Sequence, residues 1–394
     1  MPWRETCAMD ERMRFIVEHQ RGEVGMAELC RGAGISRKTG YKWLERYQAE
    51  GVVGLEERSR APHQRPGQIA EMVAERLLAK RAAHPTWGPR KLVARLQEED
   101  PTTIWPAAST AGALLSRAGL TVRRRRRARA TPSGGGPLGV CLEANAVWTA
   151  DFKGQFPTTD GQLCYPLTIA DAASRYLVRC QGLPAIDGER VRPLFEAALR
   201  EYGLPLAIRT DNGPPFASVG LAGLTPLAVW LIELGIRLDR GRPGHPQDNG
   251  RHERMHRTLK AETANPPAAT ARAQQAAFDH FRQEYHTIRP HEALGQRPPA
   301  TLYTPSPRPF PSRIRPPEYP MADHVKRVRP HGAIRWRGAE IYLAVPLAGR
   351  PVGVTERGDD RWEVTFGSLI LGTLDERSHR IVPEKPLRWV PTND

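Results

Sequence analysis

From residue 146 onward the hydrophobic pattern reads as three strands, then helix, strand, helix, strand, and no other feature of the chain restricts its fold so tightly. Residues 146–155 form a strand pattern with Asp151 inside it. Leu163 to Ala170 and Arg175 to Gly182 read as two further strands. Residues 187–202 place Val191, Leu194, Phe195, Ala198 and Leu199 on one helical face. Pro205 to Thr210 is a fourth strand pattern, Leu221 to Leu234 a helix, and Gly235 to Leu238 the lead into a short fifth strand. Leading strands that pass into helix–strand alternation imply a mixed sheet with helices packed on it.

Around this core the patterns predict a multidomain α/β protein. Residues 1–58 read as a helix-turn-helix domain, 67–120 as a second helical, helix-turn-helix-like domain, and 121–139 as a basic, glycine-rich linker. The core occupies 140–297, a proline-rich linker 298–324, and a small β-barrel 325–394. In the first domain Met13, Phe15, Ile16 and Val17 seed one helix and Met26 to Cys30 a second. Gly34-Ile35-Ser36 makes the turn, with Ile35 plugging the core and Ser36 capping the next helix through its hydroxyl. Arg37, Lys38, Tyr41 and Lys42 then lie on the first turns of that helix, whose buried side is Trp43, Leu44 and Tyr47. A basic second helix after a tight turn is the arrangement that enters the DNA major groove. In the second domain a helix over Ile69 to Arg81 precedes one opened by Gly88-Pro89, with Leu92, Val93 and Leu96 at core spacing, and a third from about Ala108 to Ala118.

The charge balance points the same way. Net charge is +15, and a surplus of that size favours a polyanionic partner through counterion release. Arg123, Arg124, Arg125, Arg126 and Arg127 run consecutively. So dense a run does not fold alone, and its guanidinium groups suit phosphate oxygens. Five scattered cysteines without a C-x-x-C pair fit a reducing cytoplasm. The charged N-terminus lacks a signal-peptide pattern, and the apolar stretch Leu227 to Ile236 is too short to span a membrane and contains Glu233. No G-x-x-x-x-G-K-[ST] loop is present, so nothing indicates ATP use.

Chemistry is concentrated in three acids. Asp151 sits in an apolar strand, where a carboxylate is costly unless paired or bound to metal. Asp211 stands at the Asp-Asn-Gly turn ending the fourth strand, and Glu253 lies on the helix after Pro246, where it can project toward the same point. Three carboxylates and a phosphate substrate favour Mg²⁺ or Mn²⁺. Two such ions roughly 3.5–4 Å apart would clamp the attacking and leaving oxygens of a displacement at phosphorus. Asn249, Glu253, His256 or Arg257, and Lys260 recur at three-to-four-residue steps and so share a helix face. Asp160-Gly161 reads as a hairpin turn, Asp171 as a turn or helix cap, and Asp248 as an N-terminal helix charge.

The blocks WTADFK, RTDNGPPF, GHPQDNGRHERMHRTLK and YHTIRPHEALG, in that order, resemble the DDE insertion-sequence transposases with a retroviral-integrase-type core. The resemblance implies a ribonuclease-H-like core with Asp151, Asp211 and Glu253 as its metal-binding catalytic triad. It also implies Arg257 and Lys260 on the transposon end, and a C-terminal domain similar to the SH3-like domain of integrases. Glu253 follows Asp211 by 42 positions, more than is usual in the wider integrase superfamily, with the surplus in SVGLAGLTPLAVWLIELG. The implied activity is Mg²⁺-dependent cleavage and joining of double-stranded DNA, transposon ends and target, by a homo-oligomer in the bacterial cytoplasm at the nucleoid. A silent DNA-binding derivative and a nuclease that cuts without joining are the alternatives. His252-Glu253-Arg254-Met255-His256 also matches the zinc-protease pattern H-E-x-x-H, a reading that leaves Asp151, Asp211 and the arginine run unexplained. Arg335, Arg337 and Arg350 suit either DNA contact or structural roles in the terminal β domain.

DNA affinity is expected to fall steeply as salt rises, by about 0.9 in log K per log unit of salt for each phosphate contacted. A flat response in a salt titration of binding would contradict the phosphate-dominated reading.

Overall fold

The computed structural model describes residues 7–58, 69–121, 143–241 and 250–390. The arginines at 123–127, Asp248 and Asn249 lie outside the described residues. The chain forms two compact units, residues 1–68 and residues 69–394.

The first unit is three helices: α1 (Ala8–Arg21), α2 (Met26–Gly32) and α3 (Arg37–Glu50). Phe15, Ile16, Leu29, Cys30, Trp43 and Leu55 make its core. Ser36 caps α3, its hydroxyl accepting the Thr39 N–H at 3.1 Å. The helices cross at Gly40, where a Cβ would meet Cys30 Sγ at 2.5 Å and Phe15 Cζ at 2.9 Å. Val17, grouped by sequence with the apolar seed of α1, is 40% exposed. It lies about 100° further round the helix than buried Ile16. Arg37, Lys38, Tyr41 and Lys42 are all exposed along the start of α3.

The second unit opens with α4 (Glu71–Ala83), α5 (Pro89–Glu99) and α6 (Ala108–Arg117), which close around Leu77, Trp87, Leu92, Leu96, Ala111 and Leu115. The sheet follows: β1 (Val147–Phe152), β2 (Phe156–Pro157), β3 (Leu163–Asp171) and β4 (Leu177–Leu183). Then come α7 (Gly188–Tyr202), β5 (Ala207–Thr210), α8 (Pro226–Glu233) and β6 (Arg237–Arg240). β3 pairs antiparallel with β1, β2 and β4, whereas β1, β5 and β6 are parallel. The mixed sheet is therefore an antiparallel set joined at β1 to a parallel pair.

Each face of the sheet has its own core. Trp148, Ala150 and Ile208 pack with Val191, Phe195 and Leu199 of α7. Ala170, Leu177 and Cys180 belong to a second cluster with Met255 and Leu259 of α9 (Gly250–Thr263) and Phe278, Phe281 and Tyr285 of α10 (Ala271–Thr287). The longer helix expected over 221–234 begins only at Pro226, and α10 ends at Thr287, before the Arg289-Pro290 step. Helix α8 is buried from Leu227 to Ile232, which explains why it is apolar on every side.

The core around α8 is continuous with that of the terminal β region, and Glu233 accepts from Arg350 Nε at 3.0 Å. That region contains β7 (His324–Arg327), β8 (Ala333–Trp336), β9 (Ala339–Tyr342), β10 (Pro351–Glu356), β11 (Arg361–Phe366), β12 (Leu369–Asp375) and β13 (Arg380–Trp389). β13, β12, β11, β10 and β7 form one antiparallel sheet in that order and β8–β9 a hairpin; these pairings do not by themselves close a barrel. The proline-rich segment before it is laid along the core. The Ser306 N–H donates to Tyr202 O at 2.8 Å and the Leu204 N–H to Arg308 O at 2.7 Å. Gly203 permits this approach: its φ is +77°, and a Cβ there would meet Ser306 O at 2.7 Å.

Polar contacts fasten α4–α6 to the α9–α10 side. Thr86 donates to Glu262, which also takes Arg289 at 2.5 Å. Arg90 pairs with Glu292 at 2.6 Å, and Arg289 lies 6.0 Å over the Trp87 ring.

Buried histidines give the core an acid sensitivity. His286 stacks on Tyr176 at 3.8 Å and its Nε2 accepts the Leu177 N–H at 2.9 Å. Burial, then Arg282, pushes its pKa from 6.5 down to about 3. Between those values the unfolded chain binds a proton that the folded chain refuses, so stability falls as pH drops through that window. His286→Gln is expected to flatten the fall in Tm between pH 6.5 and about 3. Equal slopes for both proteins would refute this.

Candidate active site

Strand β1 sorts its residues by alternation. Trp148 and Ala150 enter the α7 side, and Thr149 and Asp151 face α9. Parallel pairing of Thr149 with Arg209 sets β5 in register. Asp151 stands two residues beyond the last paired position of β1, and Asp211 directly follows the end of β5 at Thr210, so both lie toward the carboxyl ends of adjacent parallel strands. Strand neighbours lie about 4.8 Å apart. The loop bearing Asp211 is anchored beside them. Phe216 is buried, 5.9 Å from the Phe152 ring and 6.3 Å from that of Phe195. Asn212 Nδ2 donates to Gly241 O at 2.9 Å. Asp211 is exposed, and its Oδ1 accepts the Gly213 N–H at 3.3 Å.

Helix α9 has two working faces. The buried face carries His252, Met255, His256, Leu259 and Thr263. The other carries Glu253, Arg257 and Lys260, all exposed. With His256, Lys153, Ala261 and Asn265 these three line a cavity of about 390 Å³. A larger cavity, about 890 Å³, lies along β6 and β13 and is walled mainly by apolar groups such as Leu238, Leu387 and Trp389. It takes in Asn212 but none of the three acids, so chemistry favours the smaller one.

A polar pin joins α9 to the sheet. Thr149 Oγ1 lies 2.8 Å from His252 Nδ1, and Thr168 Oγ1 lies 2.6 Å from both His252 Nε2 and His256 Nε2. Thr168 is the cross-strand partner of Asp151, and its Oγ1 is 3.1 Å from Asp151 O. His256 Nδ1 faces Asp151 Oδ2 at 3.9 Å. Burial pushes the His252 pKa down to about 3, and burial, His252 and Lys153 push that of His256 down to about 2. Both rings are neutral at physiological pH.

Donor atoms of Asp151, His252 and His256 lie within 4.8 Å of one another; Asp211 and Glu253 are not part of that group. The zinc-protease reading of His252 and His256 fails on this geometry. Both histidines are buried against the sheet, both nitrogens of His252 are occupied by threonines, and Glu253 itself is exposed. Sequence reasoning read the two histidines as that motif and offered His256 or Arg257 for the Glu253 face; Arg257 is on that exposed face and His256 is buried, while Thr149, Lys153 and Thr168 were passed over. The i, i+4 histidine spacing on the helix's apolar stripe was the available signal.

Several of the other acids and arginines make structural contacts. Asp171 accepts from Ser174 N and Oγ at 2.7 and 2.6 Å and from Asn145 N at 2.7 Å. Asp160 takes Thr158 Oγ1 at 2.5 Å beside Gly161, whose φ is +83°. Arg337 pairs with Glu376 at 2.5 Å and Arg350 with Glu233 at 3.0 Å, whereas Arg335 is exposed.

Comparison with known proteins finds matches for the core and for the N-terminal helices. Residues 142–246 and 234–299 match two models of the integrase core domain. Residues 11–63 match a helix-turn-helix domain and 39–115 a homeodomain-like domain. The chain thus carries an integrase core domain and helix-turn-helix domains, and it is similar to proteins of bacterial insertion elements. It is 28% identical over 236 residues to the "Insertion element IS476 uncharacterized 39.2 kDa protein" of Xanthomonas euvesicatoria, covering 60% of this chain and 65% of that protein. It is 28% identical over 237 residues to the "Insertion element IS407 uncharacterized 31.7 kDa protein" of Burkholderia multivorans, covering 60% of this chain and 82% of that one. Among solved structures, a chain of the simian T-cell lymphotropic virus intasome with a PP2A regulatory subunit has 16% identity and a TM-score of 0.37, covering 79% of this chain and 95% of its own. The HTLV-2 integrase catalytic core with magnesium has 15% identity and a TM-score of 0.32, covering 41% and 97%.

Thr168→Val keeps the side-chain volume of this integrase core but removes the hydroxyl at the centre of the pin. Unsatisfied buried polar groups cost about 1–3 kcal/mol, and a loss of that size is expected in urea denaturation. An unchanged midpoint would show that the histidines do not depend on Thr168.

Proposed function

We propose that this chain is a DNA transposase that cleaves a strand at each end of an insertion element and joins it to target DNA, with Asp151, Asp211 and Glu253 as catalytic residues. The observation that supports the reading is that Asp151 and Asp211 stand toward the carboxyl ends of adjacent parallel strands, with the helix bearing Glu253 packed on the sheet. A half-buried Asp151 with exposed Asp211 and Glu253 fits Mg²⁺ or Mn²⁺, which prefer oxygen donors. Bound there, two ions would supply charge neutralisation at phosphorus and activation of the attacking hydroxyl.

The chain's own residues do the rest. Lys153, Arg257 and Lys260 surround the cavity beside Glu253 and hold non-bridging phosphate oxygens of the DNA end. In cleavage, water oxygen bonds to phosphorus as the bond to the 3′ oxygen breaks, leaving a 3′-OH. In joining, that 3′-OH bonds to a target phosphorus and another 3′ oxygen leaves with a proton. One phosphodiester replaces another, so joining needs no ATP. The exposed Arg37, Lys38, Tyr41 and Lys42 of α3 enter the major groove, and the arginines at 123–127 and Asn249 add phosphate contacts. The protein works as a homo-oligomer on DNA in the bacterial cytoplasm, at the nucleoid.

A supercoiled-plasmid assay with element ends and Mg²⁺ tests this. Wild type is expected to nick and join, with Asp151→Asn and Glu253→Gln reduced to background. Equal product from wild type and variants would refute it. Cleavage without joining of a pre-nicked end would identify a nuclease instead.

A further inference from the structure

The reading of Asp151 as a cation ligand has a consequence for the histidine beside it. We propose that His256 supplies its Nδ1 as a nitrogen ligand next to the Asp151 carboxylate, so that this half of the site takes a transition-metal dication such as Mn²⁺ through one oxygen and one nitrogen.

The geometry meets the demands of such a site. Nδ1 of His256 and Oδ2 of Asp151 face each other at 3.9 Å. That exceeds a hydrogen bond, so no direct bond between them must break. Metal–nitrogen and metal–oxygen bonds of about 2.0–2.2 Å put two ligands on one ion at roughly 3–3.5 Å. Closure therefore needs a movement of less than about 1 Å, within reach of a rotation of the Asp151 side chain. The far nitrogen, Nε2, is held at 2.6 Å by Thr168 Oγ1. A metal-binding histidine characteristically has its other nitrogen oriented in this way. With Nε2–H donated to Thr168, the lone pair is on Nδ1, toward the carboxylate.

His252 is excluded as a second nitrogen ligand. Its Nδ1 and Nε2 are each engaged by a threonine, at 2.8 and 2.6 Å, and the residue is 3% exposed. The site is thus a mixed oxygen–nitrogen one with a single imidazole. Imidazole raises affinity for first-row transition metals far more than for Mg²⁺, so Mn²⁺ is expected to outcompete Mg²⁺ here by more than it does at an all-carboxylate site.

Pulsed EPR on the full chain with Mn²⁺ alone, without DNA, tests the assignment. Directly coordinated ¹⁴N coupling is expected in wild type. It should vanish in His256→Gln, which still binds Mn²⁺ more weakly, and Asp151→Asn should lose the bound ion. Bound Mn²⁺ without nitrogen coupling, coupling that survives His256→Gln, or absence of Mn²⁺ binding would overturn the proposal. Should His256→Gln fail to fold, wild-type chain carrying ¹⁵N-histidine decides: the coupling must change to that of ¹⁵N, and an unchanged signal overturns it. Loss of Mn²⁺ in Asp151→Asn with no nitrogen signal in wild type would remove His256 while leaving the transposase reading intact. Cleavage by Asp151→Asn would remove that reading itself.

Discussion

The hydroxyl of Thr168 has one proton and three neighbours that can take it: His252 Nε2, His256 Nε2 and the main-chain oxygen of Asp151. At least one imidazole must therefore donate to it. Around this atom a strand, its cross-strand partner and a helix are joined by buried polar contacts, where geometry is fixed more sharply than by apolar packing. Met255 and Leu259 would tolerate some rotation of α9 about its axis; two rings meeting one hydroxyl would not. That contact sets which face of α9 carries Glu253, Arg257 and Lys260 outward, and hence which side chains line the small cavity.

Much of the architecture was legible in the residues. The change from period two to helical spacing at 187, the Ser36 cap, the Gly88-Pro89 start and the Asp160-Gly161 turn are local signals, and local chemistry decides them. What escaped was decided at a distance. Apolar residues from 221 suggest one long helix, but Thr225 caps a later start, accepting the Ala228 N–H at 3.1 Å. Prolines at 298–320 dictate extended backbone without saying that it runs beside Gly203. The alternation after 325 announces strands, and their pairing order depends on contacts no short window contains.

For the site, the acids were visible because a carboxylate in an apolar strand and one at a strand-ending turn are conspicuous. The histidines were visible as a familiar spacing with the wrong partner, and His256 as a candidate for a helix face that Arg257 takes instead. His252 and His256 meet Thr168, which precedes them by 84 and 88 positions. A threonine in a strand is unremarkable, so its role emerges only when β3 and α9 are side by side.

Glu262, near the carboxyl end of α9, accepts from Thr86 and from Arg289, residues 176 and 27 positions away. One acidic group thus works as a rivet through three layers of chain: the helical segment before the sheet, the helix that bears Glu253, and the stretch that follows α10. Neutralising this one charge would weaken the joint among all three, leaving Arg90–Glu292 to hold the helical segment to the stretch after α10. The carboxyl end of the helix would then rest on its apolar packing against α10 and the Gln274 contact to Thr263 O, a beam with one of its fastenings drawn.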